Sequence, residues 1–167
     1  MAHLDDIGQH SHVFRPGLFR ATRAYWLNGG VMHWRIGKIT GHIALSEIAA
    51  LHLHAPPQNS SSSASCVLIE KSGRRHRIVE HHWFGWTVGE RHRFGQWQQR
   101  TATFRGLVST LARRIRKANP GATFLRSAGA TAPPEALTPF DPDRLHAADA
   151  ATWSTQRNFN VKLKLKR

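Results

Sequence analysis

The chain has one cysteine, one tyrosine and two methionines in 167 residues, and only 10 acidic residues against 24 basic ones. It also lacks any long apolar run. Each shortage excludes something. A lone Cys66 permits neither an intrachain disulfide nor a thiolate-rich zinc site. Its setting, Ser65-Cys66-Val67-Leu68-Ile69, reads as the start of a strand carrying a buried, inert thiol. No stretch approaches the roughly 20 apolar residues that cross a bilayer. The opening Met1-Ala2-His3-Leu4-Asp5-Asp6 has no basic region followed by an apolar one, so it does not read as a secretory signal. The expected location is the cytoplasm, with peripheral attachment to the inner face of the membrane left open.

Scarce carboxylates also narrow the chemistry. Residues 22–118 hold only Glu47, Glu70, Glu80 and Glu90, each where a turn, strand edge or loop would be charged anyway. Paired acid–base work needs two such groups converging in one pocket. There is no Gly-x-Ser-x-Gly, and the serines cluster in a polar loop at 58–65 that cannot hold a triad. No Gly-rich phosphate loop opens a helix. The histidine pairs His10/His12, His52/His54 and His81/His82 lack a third ligand at metal-binding spacing. No catalytic residue, metal or cofactor is therefore expected.

What is present is an apolar fraction of 40% with 20% charged residues, a globular balance. The net charge is +14. Residues 22–118 contribute +11 of it, from 15 basic and 4 acidic residues. Such a surface attracts polyanions: anionic lipid headgroups, nucleic acid or an acidic protein face.

The pattern divides the chain into four segments. Residues 1–21 read as a loose arm and 22–118 as one domain. Residues 119–158 read as an Ala/Pro-rich linker and 159–167 as a basic amphipathic tail. In the domain, Thr22–Leu27 and Val31–Ile36 are two strands around Asn28-Gly29-Gly30, a turn whose favoured form needs positive φ at both central positions. Met32, Trp34 and Ile36 share one face, His33 and Arg35 the other. Further strands are expected at 41–45, 49–54, 66–70 and 75–80, with a single helical turn capped by Ser46. Residues 81–98 read as a strand end and a packed loop. From Thr101 to Ala118 the period becomes helical: Phe104, Leu107, Val108, Leu111 and Ile115 form one stripe, and Asn119-Pro120-Gly121 stops it.

This order of parts resembles that of bacterial pleckstrin-homology-like domains over residues 22–118. The likeness is carried by Arg23-Ala24-Tyr25-Trp26-Leu27-Asn28-Gly29-Gly30-Val31, Gly41-His42-Ile43-Ala44-Leu45-Ser46-Glu47-Ile48, Gly73-Arg74-Arg75-His76-Arg77-Ile78 and the helix from Thr103. The resemblance implies a mainly β (α+β) fold: a bent, partly open antiparallel barrel of about seven strands plugged by the C-terminal helix. It also implies a non-catalytic binding or assembly module at an anionic membrane surface or in a protein complex. Pairing into a dimer through a sheet edge is left open. The residues expected to contact the anion are Arg35, Lys38, Arg74, Arg75 and Arg77, with Lys162, Lys164 and Lys166 as an auxiliary arm. The alternative is nucleic-acid binding by residues 74–97, where Trp83, Trp86 and Trp97 would stack on bases between arginines.

Overall fold

The computed structural model describes residues 10–17, 19–56, 63–84, 96–127, 137–147 and 153, with the side chains of 83–84 and 96–99 excepted. The described residues are mainly β, with one α-helix. Four antiparallel strands in chain order make the first sheet: β1 (Ser11–Phe14), β2 (Arg23–Asn28), β3 (Val31–Ile36) and β4 (Ile39–Ala44). A 3-10 turn at Leu45–Glu47 leads into β5 (Ile48–His54), followed by β6 (Ser65–Glu70) and β7 (Arg75–Val79). β8 (His81–Phe84) and β9 (Gln96–Gln99) pair with each other, and helix α1 spans Thr101–Ala118. After it come β10 (Thr123–Ser127) and β11 (Thr138–Pro139), which complete a second sheet in the order β11-β10-β5-β6-β7. The described strands number eleven, more than the roughly seven expected, and the two sheets do not close into one barrel.

The first hairpin forms where expected. Asn28 pairs with Val31 across Gly29 and Gly30, and only Gly29 takes a positive φ, of 58°. One left-handed residue suffices, as in the primed turn that places glycine first. In the next pair Trp34 faces Gly41, and a Cβ there would lie 2.1 Å from Cζ2 of Trp34. The missing side chain thus makes room for the buried indole.

Two segments depart from the expected arm and linker. Ser11–Phe14, placed in the arm, is an edge strand that buries His12 and Phe14. Thr123–Ser127, placed in the linker, runs parallel to β5 and buries Phe124. A parallel partner needs a long crossover, and α1 supplies it. The 3-10 turn is capped at Ala44, without a side-chain bond, and not by Ser46.

The helix stripe behaves as the spacing requires. Phe104, Leu107, Val108, Leu111 and Ile115 are fully buried against β1, β2 and the 3-10 turn at Leu45–Glu47. Each such side chain contributes roughly 1.5–3 kcal/mol. Beyond the helix, Leu145 and Trp153 return to the core, and Trp153 meets Phe104 at a ring separation of 5.9 Å. Cys66 is buried on β6, where burial pushes the thiol pKa up and keeps it protonated. Among the described residues, no helix is long and apolar enough to cross a membrane.

Candidate anion-binding cavity

The two sheets meet at a cavity of about 420 Å³ beside the β1–β2 loop. Phe14, Pro16 and Val79 supply its apolar wall. Arg20, Arg23, Arg77 and His81 supply its polar groups, and among the described residues no carboxylate lines it. These groups arrive from four places: the β1–β2 loop, the start of β2, the edge strand β7 and the start of β8.

Local bonds hold those places in position. The Arg20 N–H donates to the Gly17 carbonyl at 3.1 Å, and the Arg15 guanidinium donates to the Arg20 carbonyl at 3.0 Å. At the other end of the loop, the Arg15 N–H donates to Nδ1 of His82 at 3.0 Å, tying it to β8. Arg23 interacts with the hydroxyl of Tyr25, which is buried. Burial dominates at that phenol and raises its pKa, although the neighbouring arginines oppose the shift. His81 is shifted down, chiefly by partial burial and then by Arg77.

Behind the wall, His12 is 1% exposed between Phe14 and Phe104. Its Nε2–H donates to the Val79 carbonyl at 2.7 Å, so Nδ1 of the neutral ring accepts from the Thr103 hydroxyl at 2.9 Å. Burial lowers its pKa to about 4, with a smaller contribution from Arg100 in the same direction.

Acids among the described residues of the domain are engaged elsewhere. Glu80 is buried and accepts from the Ala64 N–H at 2.8 Å and from the Thr101 hydroxyl at 2.6 Å. Glu70 accepts from His76 at 2.6 Å and from Ser72 at 2.8 Å. Burial alone would raise the Glu70 pKa; those bonds outweigh it and lower it. Glu47 meets Lys71 at 3.5 Å on the surface. Among the described residues, no carboxylate forms an ion pair with Arg20, Arg23 or Arg77.

The anion-contact residues expected from the sequence do not all converge. Arg77 lines the cavity. Arg75 is exposed on the same edge strand, two residues away. Arg74 lies in the β6–β7 turn with its guanidinium 5.0 Å from the Trp34 ring. Arg35 stands on the outer face of the first sheet, opposite Ala24 and Thr40. Lys38 is exposed in the β3–β4 turn, whose Gly37 N–H donates to the Thr22 carbonyl beside the β1–β2 loop. Lys162, Lys164 and Lys166 lie outside the described residues, as does Trp86, and the side chains of Trp83 and Trp97 are likewise outside the description.

Arg20, Arg23 and His81 line the cavity but are not among the anion contacts expected from the sequence, where His81 figured only in a histidine pair. A signal for Arg20 existed: Ser11-His12-Val13-Phe14 alternates before Pro16-Gly17, which is a strand-and-turn signature. Compared with known proteins, the chain matches no family model, no curated protein and no solved structure.

Proposed function

We propose that the chain is a non-catalytic binding module of the pleckstrin-homology-like type that engages an anionic surface, a membrane or an acidic protein face, from the cytoplasmic side. The carrying observation is the set of exposed or cavity-lining arginines on β7 and the β1–β2 segment that no described carboxylate neutralises. Charge left unpaired in this way projects a positive potential outward and steers anionic partners. The fold part of the reading is supported by chain order. β1–β7 pair antiparallel as four strands and then three, and the amphipathic helix α1 packs on the first sheet and the 3-10 turn between the two groups.

The test is charge reversal at Arg75 and Arg77, both exposed. Arg74 is left alone because its guanidinium packs over Trp34. Arg75→Glu with Arg77→Glu should abolish most binding to phosphatidylglycerol-containing vesicles at low salt, with the unfolding midpoint unchanged. Wild-type binding should also weaken as salt rises, because exposed charges are screened over about 10 Å at 0.1 M salt. Vesicle binding that survives the reversal would sink the proposal. A response to single-stranded oligonucleotide with none to vesicles would favour the nucleic-acid alternative.

A further inference from the structure

General attraction to anions does not explain why a cavity, rather than a flat patch, gathers the arginines. Arg20, Arg23 and Arg77 come from separate segments and face one space of about 420 Å³, a size suited to a small ligand. A guanidinium presents a planar fork of N–H donors that matches the paired oxygens of phosphate or carboxylate. Three of them beside one cavity, with no carboxylate among the described residues of its lining, repel one another until an anion enters. One negative charge would leave most of that repulsion in place. A dianion relieves more of it.

The apolar side of the cavity constrains the rest of the ligand. Phe14 is fully buried and stacks on Tyr25 at 6.1 Å and on His12 at 5.3 Å, so that wall is fixed. Val79 is held from behind through its carbonyl by His12. The space exceeds what a bare phosphate fills, and this wall can receive a carbon-bearing group.

We propose that the cavity binds a phosphate monoester, with Arg20, Arg23 and Arg77 holding the dianionic phosphate and Pro16 and the edge of Val79, backed by the buried Phe14, lying against the group esterified to it. This deepens the reading of the β7 face as anion-binding and rests on it. The monoester can be carried by a lipid headgroup or by a soluble metabolite, and the same chemistry recognises both. A phosphodiester, with one charge and two substituents, fits less well on both counts.

The experiment uses the full chain and two kinds of probe. Glycerol 3-phosphate and inorganic phosphate are titrated calorimetrically. In parallel, the protein is sedimented with phosphatidylcholine vesicles carrying either phosphatidic acid, a monoester, or phosphatidylglycerol, a diester, at matched surface potential. Arg20→Gln and Arg77→Gln should each weaken glycerol 3-phosphate binding by about tenfold or more, the scale of a lost charge-assisted contact. Lys117→Gln, exposed near the end of α1 and outside the cavity lining, should leave it unchanged. Stronger sedimentation with phosphatidic acid, lost in Arg20→Gln, assigns the site to lipid. Soluble binding with no preference between vesicles assigns it to a soluble ligand. Soluble binding with no sedimentation on either vesicle overturns the membrane form of the wider reading while the cavity site stands. Absence of soluble binding together with equal sedimentation on both vesicles overturns the site and leaves the wider reading intact. Binding unaffected by both cavity substitutions also overturns it.

Discussion

Charge is handled in opposite ways inside this protein and at the rim of its cavity. Inside, each of Glu80, His76 and His12 is under 10% exposed and each has a named partner: Ala64 and Thr101 for Glu80, Glu70 for His76, Val79 and Thr103 for His12. At the rim, Arg20 and Arg77 are exposed and no described carboxylate answers them. Buried polar groups must be satisfied because desolvation would otherwise cost several kcal/mol. Exposed charges face no such demand. The interior set is therefore explained by folding alone, and the rim set is not. That contrast is what makes the rim a candidate for binding.

Acidification should break the interior first. The folded-state pKa of His12, about 4, lies below the ordinary 6.5. Between those two values the unfolded chain takes up a proton that the folded chain refuses, so stability falls as pH drops through this window. Above the ordinary value the contribution is fully present; below about 4 no further loss comes from this group. The loss should reach roughly 3 kcal/mol, at 1.36 kcal/mol per pKa unit. His52, His81 and His82 are shifted down too, chiefly by burial, and act in the same direction. Urea unfolding across the range checks this, and His12→Gln should flatten the slope. An unchanged slope in that variant would remove His12 from the account.

Glu80 tests whether the interior needs both acceptor oxygens of this side chain. Glu80→Gln keeps one oxygen for the Ala64 N–H and turns its N–H₂ toward the Thr101 hydroxyl, which must then accept where it donated before. Reversing that bond and disturbing its neighbour should cost about 0.5–1.5 kcal/mol, the range of one hydrogen bond, and denaturant unfolding at neutral pH checks it. Full stability in the variant would mean the carboxylate is not what ties the β6 entry to the helix start.

The same division explains what was legible in the sequence. Helix α1 matches its expected bounds because its stripe is local and its stop signal, Asn119-Pro120-Gly121, follows directly. The Gly29-Gly30 hairpin is local as well. β10 was not legible: its partner β5 is parallel and lies beyond the whole helix, so nothing near Thr123–Ser127 announces the pairing. β1 is four residues long, so its alternation before Pro16-Gly17 is a brief signal inside a polar segment. The cavity inherits both problems. Arg77 could be read as an outward residue of a basic strand, whereas Arg20 reaches it only because β1 pairs with β2 and folds the intervening loop back.

The smallest expected effect is the most informative for the comparison. If the rim arginines serve binding and not folding, replacing Arg20 and Arg77 together by Gln should change the unfolding free energy by no more than about 0.5 kcal/mol, the usual range for surface substitutions. The sign should be neutral or slightly stabilising. Both side chains are exposed, neither loses a described ion pair, and removing two like charges relieves repulsion toward Arg23. Equilibrium urea unfolding at low and at high salt provides the check, since any repulsive contribution should shrink as salt rises. A loss above about 1 kcal/mol would show that these arginines hold the β1–β2 loop against β7. The rim would then be built like the interior, and its unanswered charge would be a structural cost of closing the two sheets.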